Sequence, residues 1–234
     1  MRSAPMTIAF AGLIFTATCA AAEERQYSVK ETRFIAYKYG QCAVRGHTAG
    51  ASEAIMRNVD NETLVKRYRI LINGDCLSAP GSRLMFPGDF YRYALADGLV
   101  RRRLADRPVP DLTNVQPLAH AAAPEEPMPP LDDNQIANLL YANALRKAQQ
   151  AASFRALSIY GECVVRVSPT HAKALLVTEP ETAAENDGFK AMQPTLAQCM
   201  PEGQTMTLDK FVVRGIVAVN YYRLAMTALQ GGAQ

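Results

Sequence analysis

Apolar residues recur along this chain at spacings of three and four, and the alternation of a strand never persists, so the pattern predicts helices throughout. Residues 27–45 place Phe34, Ile35, Tyr37, Tyr39, Cys42 and Ala43 on one side, and Gly46 stands where such a helix stops. A short segment from Ser52 to Asn58 turns Ala54 and Ile55 inward. Asp60 or Asn61 caps a third helix through Leu64, Val65, Tyr68 and Leu71, halted by Asn73-Gly74. Pro80-Gly81 and Pro87-Gly88 punctuate a loop, after which Asp89 caps a fourth helix from Phe90 to about Leu104.

Between Asp106 and Asn134 the pattern lapses. Seven of the 14 prolines fall here, at 108, 110, 117, 124, 127, 129 and 130, beside an alanine run and Glu125-Glu126. Proline removes amide donors and there is little to bury, so residues 106–134 read as an extended linker and a domain boundary. Beyond it Asp132 or Asp133 caps a long helix carrying Ile136, Leu140, Ala144, Ala148, Leu157, Tyr160 and Val164. No proline interrupts it before Ser168-Pro169, which ends it and starts the next. Thr182 and Glu185 have the spacing of a capping box, opening a helix toward Met192 that Pro194 is expected to break before Cys199. Pro201-Glu202-Gly203 makes a turn, and Asp209 caps a last helix, Phe211 to Leu229, closed by Gly231-Gly232.

The two halves echo one another. Tyr39-Gly40-Gln41-Cys42-Ala43-Val44-Arg45 returns as Tyr160-Gly161-Glu162-Cys163-Val164-Val165-Arg166, offset by 121 residues. Cys76 returns as Cys199, offset by 123. Arg92 and Arg101 return as Arg214 and Arg223, offset by 122. The expectation is an all-α fold of two tandem small helical domains, 23–105 and 135–230, each of about four helices.

Residues 1–22 change the picture of where the chain works. Arg2, the apolar run Ile8 to Phe15 and Ala20-Ala21-Ala22 read as a signal peptide, cleaved before Glu23, with lipidation of Cys19 as the alternative. No later stretch is long and apolar enough for a transmembrane segment, so a periplasmic or secreted location is expected. Four cysteines remain, and an even count in an oxidising compartment reads as disulfides. Of three pairings the echo favours Cys42–Cys76 and Cys163–Cys199, one per domain. Zinc is the competing use, but C-x-x-C is absent and His47, His120 and His171 stand apart from the cysteines, so no metal is expected. Gly40 and Gly161 inside helices imply close approach of another helix, and Tyr39 and Tyr160 are placed to cover the bridges.

The full chain carries a net charge of +3, which argues against nucleic acid as a partner. Arg45 and Arg166 complement helix C-termini. Arg92 and Arg214, at helix starts, either pair with an internal carboxylate or hold an anion. Arg101, Arg102 and Arg103, with Arg107, form a basic helix end that is either solvated or in contact with an acidic partner. Carboxylates such as Asp132-Asp133 and Glu179/Glu181 are accounted for as helix caps. No nucleophile elbow, zinc-protease helix, phosphate loop or dinucleotide fingerprint occurs, and no catalytic residue or cofactor site is read.

With these motifs the chain resembles uncharacterised secreted two-cysteine helical-repeat proteins of alphaproteobacteria, sphingomonad-type proteins with no established activity. The likeness covers roughly 27–105 and 135–229, the second half fitting better because the first has Cys76-Leu77-Ser78-Ala79-Pro80-Gly81 in place of Cys199-Met200-Pro201-Glu202-Gly203. It implies export and repeat structure and adds no catalytic residue. The expected function is a non-enzymatic binding, adaptor or chaperone-like protein, its partner a protein or an anionic envelope component. The alternative is a hydrolase-like envelope enzyme with an arginine/carboxylate site, which a pocket with convergent carboxylates or a His–carboxylate pair would favour.

Overall fold

The structure is a computed structural model that describes residues 27–72, 76, 89–130, 134–203 and 208–231. The leader reading, Cys19, the turns at Asn73-Gly74, Pro80-Gly81 and Pro87-Gly88, the caps Asp132 and Asp133, and Gly232 lie outside the described residues. Among the described residues the fold is all-α, with no strand. Seven α-helices follow in order: α1 Val29–Met56, α2 Asn61–Arg67, α3 Phe90–Leu104, α4 Gln135–Val167, α5 Pro169–Val177, α6 Ala183–Gln198 and α7 Lys210–Gly231.

Several boundaries follow local chemistry. Ser28 and Glu31 close a reciprocal capping box on α1. The stop expected at Gly46 appears as a break at His47, with φ −138° and ψ 46°, after which α1 resumes and takes up the Ser52–Asn58 segment. Asp60 caps α2 through the Thr63 amide at 2.6 Å. That helix ends at Arg67, earlier than expected, because Tyr68 leaves helical geometry and residues Arg69–Ile72 tighten into a 3-10 turn. The cap of α4 is Asn134, whose side chain accepts from the Ile136 and Ala137 amides. Pro194 does not break α6, which runs on to Gln198. A proline inside a helix forfeits one hydrogen bond, and the burial of Met192 and Thr195 on either side holds this turn in place.

Phe90 to Val100 and Val213 to Met226 are buried all round, as helices in the middle of a core must be. Accordingly α3 and α7 pack against each other, with α1 against α3 and α4 against α7. One hydrophobic core runs through both halves, from Tyr39, Leu95 and Leu99 to Tyr160, Val217 and Tyr222. Glycine sets the closeness of the outer pairs. A Cβ on Gly40 would fall 2.6 Å from the Ala94 carbonyl carbon of α3, and one on Gly161 would fall 2.9 Å from the Ile216 oxygen of α7. Both disulfides form as expected, Cys42–Cys76 and Cys163–Cys199, with Cα separations of 5.5 and 5.8 Å. Near them the tyrosine hydroxyls donate to backbone carbonyls, Tyr39 to Leu71 and Tyr160 to Leu196, while the Tyr39 ring packs on Phe90 and Tyr91.

Among its described residues the linker has no helix and is docked. Leu112 is buried. Farther on, Ala121, Pro124, Pro127 and Pro130 are half-buried with exposed pairs between them, the three-residue period of a polyproline helix. Ala121 is bonded to Arg155 in α4, so the chain returns from there to the start of the same helix at Asn134. The helix covers that distance in ~31 Å. At a polyproline rise residues 121–130 reach ~28 Å, so this described part of the linker runs extended.

Candidate functional site

The arginines that begin and end α3 and α7 fall into two clusters of different chemistry. In the first, Arg214 reaches Asp97 at 3.0 Å and Glu185 at 3.0 Å, and donates to the Leu175, Leu176 and Thr178 carbonyls at the end of α5. Arg33 of α1 pairs with Glu185 at 2.7 Å and with Glu181. Arg101 stands 3.6 Å from Asp97, donates to the Val177 and Thr178 carbonyls, and covers the Tyr37 ring. Three cations meet three carboxylates, so a group as fully buried as Glu185 stays compensated. The adjoining cavity measures about 20 Å³, room for a water and no more. Of the two options for Arg214, the internal carboxylate is the one the structure shows.

In the second cluster Arg92 and Arg223 are equally buried, at 2% and 3% exposure, and neither meets a carboxylate among the described residues. Arg92 donates to the Asn58 amide oxygen and lies under the Phe154 ring, 4.6 Å from its centroid. Arg223 donates to the Ala119 carbonyl at 2.6 Å. Nε of Arg92, and Nε and Nη1 of Arg223, have no acceptor among the described residues; in the first cluster the same holds of Arg101 Nε alone. Burial first, then the charge of Arg92, brings the Arg223 guanidinium down to about 10, with Glu162 opposing. Burial likewise lowers Arg92.

Between this cluster and the linker runs a hydrogen-bonded chain. The Ser158 hydroxyl lies 2.9 Å from His120 Nδ1, and His120 Nε2 lies 2.7 Å from Glu162 Oε2. An ionised carboxylate only accepts, so Nε2 carries a proton toward Glu162, and in the neutral imidazole Nδ1 is then the acceptor of the Ser158 hydroxyl. Glu162 also receives the Leu118 amide and the Arg166 guanidinium. Arg166 goes on to the Val115 and Gln116 carbonyls. The order is that of a serine–histidine–carboxylate triad, but Ser158 is only 2% exposed.

An open groove of about 680 Å³ lies between α4 and the α1–α2 connection. The connection contributes Asn58, Val59 and the carboxylate Asp60, and the first turn of α2 adds Glu62, with Asp89 beside them. The α4 side contributes Arg146, Lys147, Phe154 and Leu157. Steps of three and four lead from Leu157 through Phe154, Gln150, Lys147 and Asn143 to Leu140 and Ile136, one stripe of the helix. Ile136, Leu139 and Leu140 are 70%, 63% and 64% exposed.

The basic run at the end of α3 is divided. Arg101 turns into the first cluster, Arg103 donates to Tyr222 at 2.9 Å, and Arg102 is exposed. Glu179 and Glu181, expected as caps, instead meet Tyr37 and Arg33. The Glu185 amide does donate to the Thr182 hydroxyl, as the spacing implied, yet the Glu185 carboxylate serves the arginines. Sequence reasoning missed Ser158, His120 and Glu162. The i, i+4 spacing on α4 was the available signal, and nothing local brings His120 to it. Among the described residues no cluster has the makings of a metal site, and no helix is long and apolar enough to cross a membrane. The disulfides fit a protein of an oxidising, extracytoplasmic compartment. No protein-family model, curated protein or solved structure matches the chain.

Proposed function

We propose that this is a non-enzymatic exported binding protein, periplasmic or secreted, that takes a short peptide segment of a partner protein into the groove along α4. The observation that carries the reading is the groove itself: an open volume of about 680 Å³ with carboxylates on one wall and Arg146 and Lys147 on the other. Such a volume is in the range of ligand sites. Opposed charges suit a chain bearing both signs, and Val59, Phe154 and Leu157 offer apolar surface to its side chains. The stripe that continues to Ile136 lengthens the contact. The resemblance to the two-cysteine group named above is in keeping with export.

The alternative, a hydrolase-like enzyme, has one observation in its favour, the chain from Ser158 through His120 to Glu162. Burial of Ser158 weighs against it, since a nucleophile must reach its substrate. Peptide-library selection on the purified protein tests the binding reading. Binders are expected that lose about tenfold or more in affinity when Ser153→Arg fills the groove. A selection that yields none, or whose binders ignore Ser153→Arg, sinks it.

A further inference from the structure

Arg92 and Arg223 are buried cations with no carboxylate at ion-pairing distance among the described residues, Asp89 and Glu162 acting on them only from farther off. They stand at the positions to which an offset of 122 residues relates Arg214 and Arg101, both ion-paired. The same offset relates Asp97 to Val219 and Glu185 to Thr63, while one of 121 relates Arg33 to Phe154. The second cluster therefore keeps the arginines of the first and has a valine and a threonine in place of two of its carboxylates. We propose that this cluster binds an oxyanion of the phosphate or sulfate type, which supplies the charge that Asp97 and Glu185 supply to Arg214.

Three N–H groups, Nε of Arg92 and Nε and Nη1 of Arg223, are buried without an acceptor. Buried guanidinium donors left unmade are costly, and an anion satisfies both their charge and their hydrogen bonds. Forks presented by two separate arginines suit the several directions of a tetrahedral oxyanion better than the single plane of a carboxylate. Neutral donors stand by as well: Asn58 Nδ2 has only a 3.5 Å approach to Ser158. Phe154 stacks on the Arg92 guanidinium and also lines the groove, so this one ring stands between Arg92 and the open groove. The oxyanion is either a free ion or the anionic end of a larger ligand whose body lies in the groove.

The site is tested by calorimetry and melting of the purified full-length exported chain in sodium phosphate, sodium sulfate and sodium phenyl phosphate, each against sodium chloride at equal ionic strength. Wild type is expected to bind and to melt higher in at least one of the oxyanions. Arg223→Gln is expected to bind about tenfold more weakly, the loss of a charge-assisted contact. Val219→Asp sets a carboxylate four residues before Arg223, as Asp97 stands before Arg101, and should abolish binding while melting no lower than anion-free wild type. Binding of inorganic phosphate or sulfate assigns the site to the free ion, and binding of phenyl phosphate alone assigns it to the end of a larger ligand. No oxyanion-specific stabilisation in any of the three salts overturns the proposal, as does binding undiminished in Arg223→Gln. If Val219→Asp does not fold, the Arg223→Gln comparison decides. The inference does not rest on the peptide reading, and inorganic ions report on it whether or not peptides bind.

Discussion

Tyr93 of α3 occupies the space that a side chain at Gly215 of α7 would need: a Cβ there would lie 2.6 Å from the Tyr93 Cβ and 2.5 Å from its Cδ2. The two positions are related by the 122-residue offset, so the halves meet at corresponding points, one large and one empty. Phe211 packs edge-on against the same tyrosine ring, its centroid 5.8 Å away.

Gly215→Ala should therefore destabilise the fold by about 1–3 kcal/mol, the usual cost of overpacking, despite the better helix propensity of alanine. In a Tyr93→Ala background the same change should cost less than half as much, because the ring it strikes is gone. Urea midpoints of the four proteins give the coupling. Additive effects would show that the contact does not hold the halves together.

Arg214→Met should remove the tie between α3, α6 and α7 and leave buried Asp97 with only Arg101, at 3.6 Å, and buried Glu185 with only Arg33. The expected loss is about 3–5 kcal/mol. Exposed Arg102→Met, on the same measurement, should stay within about 0.5 kcal/mol of wild type. An unfolding midpoint for Arg214→Met equal to wild type would mean the carboxylates find other partners.

The linker should be cut selectively. Residues 112–121 are held through Leu112, Arg166, Glu162, Arg223 and Arg155, whereas Glu125 and Glu126 face solvent. A glutamate-specific protease should therefore cleave first at 125 or 126. The fragments should stay associated without denaturant, because one core spans both. Fragments that part on gel filtration would show two separable domains.

Buried tyrosines should set the alkaline limit of stability. Burial pushes Tyr221 up to about 12 and also raises Tyr39, Tyr93 and Tyr160. The folded chain thus keeps phenol protons that an unfolded chain releases near pH 10. This contribution is intact below pH 10 and is lost as pH rises toward about 12. Phenolate absorbance and helical circular dichroism should change together in that window for these residues. Uniform titration near pH 10 with the helices intact would contradict it.

Helices were legible where one local signal decided them. The run from Phe90 to Leu104 was read to the residue, although Asp89 makes no side-chain cap bond, because the apolar stretch itself defines the helix. The disulfide pairing followed from the echoed spacing. Pro194 misled because a local rule ignores the packing of Met192 and Thr195. The arginine clusters were half legible. A cation in the apolar first turns of α7 called for an anion, but Asp97 lies 117 residues away and Glu181 lies 148 from Arg33, separations at which sequence carries no register. The linker looked inert because, His120 and the Leu118 amide aside, its hydrogen bonds run through its carbonyls, which every residue has, to basic side chains that look solvated in the sequence. Arg92 and Arg223 could not be told from their paired counterparts until the carboxylates were located.

The packing of α3 against α7 also governs the order in which the protein can assemble. A chain delivered from its N-terminus presents Tyr93, Leu95 and Leu99 more than a hundred residues before Val213 and Val217 arrive to cover them. Contacts that distant must close a long loop before any return is felt, which slows folding and leaves the intermediate adhesive. The first half therefore waits, oily side outward, for the last helix. A chain ending before Lys210 should be insoluble or bound to a chaperone rather than a small stable domain.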